Sequence, residues 1–315
     1  MDTLQPQNAD RNKVAIVMGT YNAQEFLAMQ LESIARQTCN DWSLWISDDG
    51  SQDASLAIIS TFAQRCGARR LTLLAGPRQG FAGNFLSLIC NPAIKADYYA
   101  YADQDDIWEP DKLARALAIL APKGQTEPAM YCSRTRLVDE CNREIGFSPL
   151  FRKPPSFANA LTQSLGGGNT MIFNHAARGL LLEAGRVNIV SHDWWTYLLV
   201  TGCGGCVIYD DYPSVRYRQH ANNLVGTNKG VNNKIRRLKM LWRGEFRQWV
   251  DRNIMALLLA KNQLKRENIG LLHTFIRGRD VPLFARLKVL KQTGIYRQTL
   301  LGNIGLFFAV IFRKI

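Results

Sequence analysis

The sequence predicts an α/β fold, a Rossmann-like, mostly parallel twisted sheet with helices on both faces, followed by a basic helical segment. Three observations predict it. Across the first 120 residues, short apolar runs alternate with amphipathic stretches at regular spacing, the pattern of repeated strand–helix units. The first of these runs, Val14 to Met18, is apolar throughout, as a strand covered on both faces should be. The positive charge is gathered at the end: residues 229–315 hold 19 Lys and Arg against 4 Asp and Glu, whereas residues 1–228 hold 20 against 22.

Each element has its own reason. Val14 to Met18 is a continuous apolar strand, and Asn22 with Glu25 three residues on forms a capping-box pattern for the helix that follows. Phe26, Leu27, Leu31 and Ile34 give that helix its apolar stripe. Ser43 to Ser47 is the second strand, and Asp53 starts a helix carrying Leu56, Ile58, Ile59 and Phe62. Leu71 to Leu74 and Tyr98 to Tyr101 are the third and fourth strands, with a helix from Phe81 to Ile89 between them. Pro110 suits the first turn of a helix running to Leu120. Beyond residue 121 the pattern becomes α+β. Short strands are expected near Met130–Cys132, Thr170–Phe173, Val207–Tyr209 and Ser214–Tyr217, and helices near His175–Glu183 and Asp193–Thr201.

The 315 residues, 47% hydrophobic and 21% charged, leave room for one large domain and a smaller appendage. Residues 1–11 are polar and aperiodic and are expected to be disordered. Residues 12–228 form the α/β domain and 229–315 a basic amphipathic helical region. Seven cysteines, an odd number without framework spacing, point to reduced thiols in a cytosolic compartment. The polar start carries no secretory signal, and no segment reaches the roughly 20 apolar residues of a spanning helix.

Ligands of open α/β sheets bind beyond the carboxyl ends of the strands. Three of the four early ends are polar or acidic here: Gly19-Thr-Tyr-Asn22, Asp48-Asp-Gly-Ser51 and Asp103-Gln-Asp-Asp106. Close carboxylates raise one another's pKa unless a cation neutralises them, and a hard divalent ion with phosphate oxygens and water fits the third group. A capped loop before the Pro110 helix is the plainer explanation of that cluster.

Taken together, Thr20-Tyr-Asn22, Asp48-Asp-Gly-Ser-Gln-Asp53 and Asp103-Gln-Asp-Asp-Ile-Trp-Glu-Pro-Asp-Lys-Leu113 resemble the inverting glycosyltransferases of family 2, which have the GT-A fold. The resemblance covers roughly residues 12–225. It implies that Thr20, Tyr21, Asn22 and Asp49 line the base and ribose, with Asp48 beside them. It places Asp103 near the ribose, with Gln104 between it and Asp105, and sets Asp105 on Mg2+ or Mn2+ at the diphosphate. The segment Arg78 to Asn84 occupies a third nucleotide-side position, where Arg78 is a phosphate or base contact or else a surface cation.

The same resemblance extends to the second half. Ser191-His-Asp-Trp-Trp195 resembles the acidic motif whose aspartate deprotonates the acceptor hydroxyl. Asp193 is therefore the candidate base, with helix capping as the alternative. His192 stands where an acid is often found, and Trp194 and Trp195 are sugar-stacking candidates, although at least one reads as core. Gly167, Gly168 and Asn169 border donor sugar and acceptor, where absent side chains permit close approach. Tyr217-Arg-Gln-His220 resembles the segment that closes over the diphosphate, with His220 a metal ligand or a structural histidine and Arg218 a phosphate contact.

The motifs look most like bacterial rhamnosyltransferases of lipopolysaccharide or surface-polysaccharide assembly. That implies dTDP-L-rhamnose as donor, with UDP-hexoses as substitutes, and a saccharide or glycolipid acceptor. The run from Leu300 to Phe312 is too short to cross a bilayer. With Arg297, Arg313 and Lys314 around it, the run suits an anionic cytoplasmic leaflet, or else docks on the protein or a second copy. Upstream, Ile235, Leu238, Leu241, Trp242, Phe246 and Trp249 alternate with basic residues in an amphipathic helix. Two other classes compete: a metal-dependent phosphohydrolase of nucleotide sugars, and a nucleic-acid binder using the tail. Nucleic acid is disfavoured because the cations are interleaved with long aliphatic runs, and a dehydrogenase because no GxGxxG follows the first strand.

Overall fold

The computed structural model describes residues 12–67, 70–220 and 243–315. Strands β1 (Val14–Thr20), β2 (Trp42–Asp48), β3 (Leu71–Ala75) and β4 (Tyr98–Ala102) are mutually parallel and lie in the order β3-β2-β1-β4. The chain steps outward from β1 to β3 and then returns to the other side of β1. A switch point therefore opens between β1 and β4, where such sheets take their ligands.

The sheet continues past β4 in mixed fashion. β8 (Ile172–Asn174) runs antiparallel to β4, and β6 (Ala129–Val138) antiparallel to β8. β9 (Cys206–Arg218) is parallel to β6, and the two-residue β5 (Ile107–Trp108) closes the edge against β9. A short β7 (Glu144–Phe147) pairs with β6 off this path. Neither β5 nor β7 was expected. β9 joins two expected strands, because residues 211–214, with Pro213 among them, bulge opposite Arg134 while pairing resumes on either side. Proline is tolerated in a strand at such bulges.

Two cores cover the sheet. On one face lie α1 (Leu27–Ala35), α2 (Ser55–Cys66) and α4 (Lys112–Leu120), with Leu27, Leu31, Ile34, Ile59, Phe62, Leu113 and Leu117 buried against Val14, Ile16 and Met18. The other face carries α3 (Gly80–Ile89), the single turn α5 (Phe157–Ala160), α6 (His175–Ala184) and α7 (His192–Gly202). The C-terminal helices α8 (Glu245–Leu259), α9 (Arg266–Gly278), α10 (Leu283–Thr293) and α11 (Leu300–Ile311) add to this second core. Val250, Ile254, Leu257, Leu272, Phe275, Leu306 and Val310 are buried in one cluster with Trp195 and Tyr197. Each large apolar side chain so buried contributes about 1.5–3 kcal/mol. Helices α8, α9 and α11 of the basic region are therefore packed onto the α/β body.

The capping box at Asn22 is not formed. α1 begins at Leu27 after Phe26, with no side-chain cap. Asn22 instead has φ 45°, and its Oδ1 accepts from the Gln52 amide, which ties the first loop to the second. The expected disordered N-terminus, the boundary near 228 and the helix residues Ile235 to Trp242 lie outside the described residues.

Candidate active site

The first two strand ends form a hydrogen-bonded platform. Asp48 accepts from the amides of Gly50 and Ser51 and from the hydroxyls of Ser51 and Thr20. Both side chains are buried, so Thr20 and Asp48 shape the loop from below. Asp49, half-buried, accepts from the amides of Arg78 and Gly80 at 2.6 and 3.1 Å and thereby clasps the loop after β3. Arg78 itself is exposed with φ 57°. Its Nε lies 3.0 Å from where a Cβ on Gly50 would stand, and Gly50 has φ 97°, so the backbone there favours glycine. Asn84 is buried and donates to the Ser47 carbonyl. It braces β2, which corrects its expected contact with nucleotide. Tyr21 and Asn22 remain exposed at the rim.

Gln104 joins this platform to the acidic loop. Its side-chain oxygen accepts from the Tyr21 amide at 2.8 Å, and its amide donates to the Tyr21 carbonyl at 3.2 Å. The side chain acts as a strand-like clamp across the β1–β4 switch point, so Gln104 positions the loop.

Around the clamp four carboxylates converge. Burial, then Asp105 and Asp193, pushes the Asp103 carboxyl up to about 8. Burial, then Asp105 and Asp103, raises Asp106 well above the usual carboxylate range. Asp106 is fully buried and held by the Asn169 side-chain amide and the Arg218 backbone amide, so Asn169 orders the acidic loop. Asp105 faces His220, with Oδ2 and Nε2 2.8 Å apart. Among the described residues, no group of three His, Cys, Asp or Glu side chains forms a metal-sized cluster. One carboxylate and one imidazole fit a divalent ion whose other ligands are diphosphate oxygens and water. The raised carboxyls report burial first and the neighbouring carboxylates second, and such an ion would relieve the second.

Asp193 sits in the first turn of α7, half-buried, and its carboxylate caps no amide. It accepts only a long bond, 3.4 Å, from the Ser164 hydroxyl, and its charge reaches Asp103. The capping alternative is thereby removed. His192 is buried, stacked on Phe85 at 3.8 Å and edge-on to Tyr101. Both ring nitrogens lack hydrogen-bond partners, and burial holds its pKa down at about 4. A Cβ on Gly168 would stand 2.3 Å from His192 Nε2, and one on Gly167 2.6 Å from Asn169 Oδ1. The close approach that these glycines permit is thus to the protein's own side chains.

Three of the expected contact residues are buried within the protein. Trp194 and Trp195 are core, the former donating Nε1–H to the Ala160 carbonyl, and neither offers a face to a sugar. Arg218 is fully buried over the Phe26 ring, and its guanidinium donates to the carbonyls of Asp105, Asp139 and Glu140. It braces the acidic loop from behind and does not meet phosphate. Sequence reasoning also passed over two members of the site. The Tyr217 hydroxyl is raised by burial, then by the charges of Asp106, Asp103, Asp105 and Asp193. Lys112 is buried 4.0 Å over the Trp108 ring, and burial lowers its amine to about 7 against the pull of Asp106. Their signal was present as the residue before Arg218 and as the lysine after the Trp-Glu-Pro-Asp run.

A parallel half-sheet with an acidic switch point, continued by a mixed half carrying a second acid, is the GT-A arrangement of a nucleotide-sugar-dependent glycosyltransferase. The chain belongs to glycosyl transferase family 2, whose model matches residues 15–183. It is 30% identical over 273 residues, 80% of its length and 90% of the relative's, to the dTDP-rhamnosyl transferase RfbG of Shigella flexneri. Over 111 residues, 34% of the chain and 40% of the relative, it is 30% identical to the UDP-Glc:α-D-GlcNAc-diphosphoundecaprenol β-1,3-glucosyltransferase WfgD of Escherichia coli. Among solved structures, S. aureus TarS 1–349 superposes with a TM-score of 0.55 at 14% identity, covering 95% of this chain and 90% of that one. The mannosyltransferase PcManGT of Pyrobaculum calidifontis, in complex with GDP-Man and Mn2+, gives 0.51 at 16% identity, covering 99% and 88%.

Proposed function

We propose that the protein is an inverting rhamnosyltransferase. It moves L-rhamnose from dTDP-β-L-rhamnose to a saccharide acceptor in bacterial lipopolysaccharide or surface-polysaccharide assembly and leaves an α-linkage. The observation that carries the chemistry is the Asp105–His220 pair at the end of β4, with a half-buried, uncapped Asp193 whose charge reaches Asp103. The donor assignment is supported by the 30% identity to a dTDP-rhamnosyl transferase over 80% of the chain. A UDP-hexose donor is the second reading, supported by the shorter match to a UDP-Glc enzyme.

In this reading Tyr21, Asn22 and Arg78, on the exposed rim, receive the nucleoside, while Asp48, Asp49 and Gln104 hold that rim in shape. Asp105 and His220 would hold Mg2+ or Mn2+, which when bound supplies positive charge at the departing diphosphate. Asp193 accepts the proton of the acceptor hydroxyl. That oxygen forms its bond to C1 on the face opposite the diphosphate, and the C1–phosphate bond breaks. A single displacement inverts the anomeric carbon without a covalent intermediate. Enzyme action takes place at the cytoplasmic face of the membrane, on a saccharide or glycolipid, and neither nucleic acid nor hydrolysis without acceptor is part of it.

A thermal-shift series with dTDP, UDP, GDP and AMP, each with Mg2+ or Mn2+, tests the donor. The expected result is the largest stabilisation by dTDP, since a ligand that binds only the folded state raises stability with its affinity. Greater stabilisation by UDP would overturn the rhamnosyl assignment in favour of the hexose.

A further inference from the structure

α11 buries one side only. Leu306, Ala309 and Val310 pack into the core. Leu300, Leu301, Ile304, Phe307 and Phe308 are exposed, Leu300 and Leu301 at 78% and 70%. Residues 300, 304, 307 and 308 recur at helical spacing, so they form one stripe down the outer face. α10 packs against α11 and bears Phe284, 86% exposed, followed at i+4 and i+7 by the exposed Lys288 and Lys291. Arg313, also exposed, follows α11. A continuous apolar stripe bordered by cations is the signature of a helix lying in a lipid interface.

The length of α11, 12 residues, gives about 18 Å of helix, and no helix among the described residues is long and apolar enough to cross a membrane. A second copy is disfavoured as the occupant. With 19 basic against 4 acidic residues in 229–315, self-association would bring like charges face to face.

The stripe is also wired to the site. The turn before α11 is fastened to the stretch from Lys153 to Gln163. Gln298 exchanges two hydrogen bonds with the Lys153 backbone, and its own amide donates to the Gln163 side chain. The Tyr296 carbonyl accepts from Asn159 and Thr162. The next residue is Ser164, the partner of Asp193, and the loop then runs through Gly167 to Asn169.

We propose that the outer stripe of α11, with Phe284 and the flanking lysines and arginine, docks on an anionic phospholipid surface. Docking there seats the acceptor side of the cleft at the bilayer, so that the acceptor is a lipid-linked saccharide. The acceptor half of this inference rests on the glycosyltransferase reading; the docking half does not.

Flotation of the full chain with vesicles of phosphatidylcholine alone, or of phosphatidylcholine with phosphatidylglycerol, tests it. The informative variant is Leu300→Glu/Leu301→Glu. Both residues lie in the first turn of α11, where acidic side chains favour the helix, so the fold is retained, and the nucleotide-induced thermal shift verifies this. The wild type is expected to float with the anionic vesicles and to sediment with the neutral ones. The double variant should bind at least about tenfold more weakly and lose transfer to a lipid-linked acceptor while keeping transfer to a water-soluble one. A wild type that stays down with both vesicles, a variant that floats undiminished, or a dimer broken by the same substitutions would overturn the proposal. Flotation is read without sugar transfer, so a wrong donor or reaction would leave this outcome standing.

Discussion

His192 shows how one side chain can carry several constraints. Its ring is stacked on Phe85, and its Nε2 fills the space that a side chain at residue 168 would need, so α7 and the glycine loop are fitted to each other. Neither nitrogen has a partner, which makes the neutral ring the only form the site accommodates without penalty. With a folded pKa of about 4 against about 6.5 when unfolded, the unfolded chain binds the extra proton between those values. Stability from this residue is therefore complete above pH 6.5 and is lost as the pH falls toward 4. Denaturant titrations of the wild type and His192→Leu at pH 7 and pH 4.5 measure it. The wild type should lose about 2 kcal/mol more than the variant on acidification, and equal losses would show that the ring is solvated. Histidine at this position was legible in the sequence as a site residue. Its burial was not, because burial depends on Phe85 and Tyr101, which come from distant elements.

At the scale of elements, β9 links the two halves of the site. The strand carries Tyr217 past the carboxylates and ends in Arg218, whose side chain holds the Asp105, Asp139 and Glu140 carbonyls. The sequence broke this strand in two, since Asp210-Asp-Tyr-Pro213 reads as a turn. Only the bulge against β6 lets pairing resume beyond the proline. The same locality misled the reading of Arg218, because an arginine in a ligand-closing motif reads as a phosphate contact until Phe26 and three carbonyls are found around it. The two readings differ in measurable ways. Arg218→Met should cost about 3 kcal/mol of folding stability, since buried carbonyls lose their donors. A variant with unchanged stability but weakened nucleotide binding would restore the phosphate role.

Over the whole molecule, what the sequence made plain was what local chemistry dictates. β1 and β4 are apolar runs of buried-strand length, and the polar loop after β1 and the acids after β2 and β4 fall where a 3-2-1-4 order must gather them. β5 and β7 escaped notice because a two-residue and a four-residue edge strand carry too little pattern. Docking of the C-terminal helices on the protein was one of the readings the sequence left open, because basic surface residues give no sign of what their opposite faces cover; residues of α8, α9 and α11 share one core cluster with α7. The assembled molecule places a half-buried, uncapped Asp193 toward the acidic switch point, and the account depends on that placement. Its most direct test is sugar transfer by Asp193→Asn, measured beside nucleotide affinity in the same preparation. Transfer is predicted to fall by about 10²–10⁴-fold, the usual worth of a general base, with nucleotide affinity unchanged. Transfer that persists in the variant, or persists while nucleotide binding weakens, would contradict it.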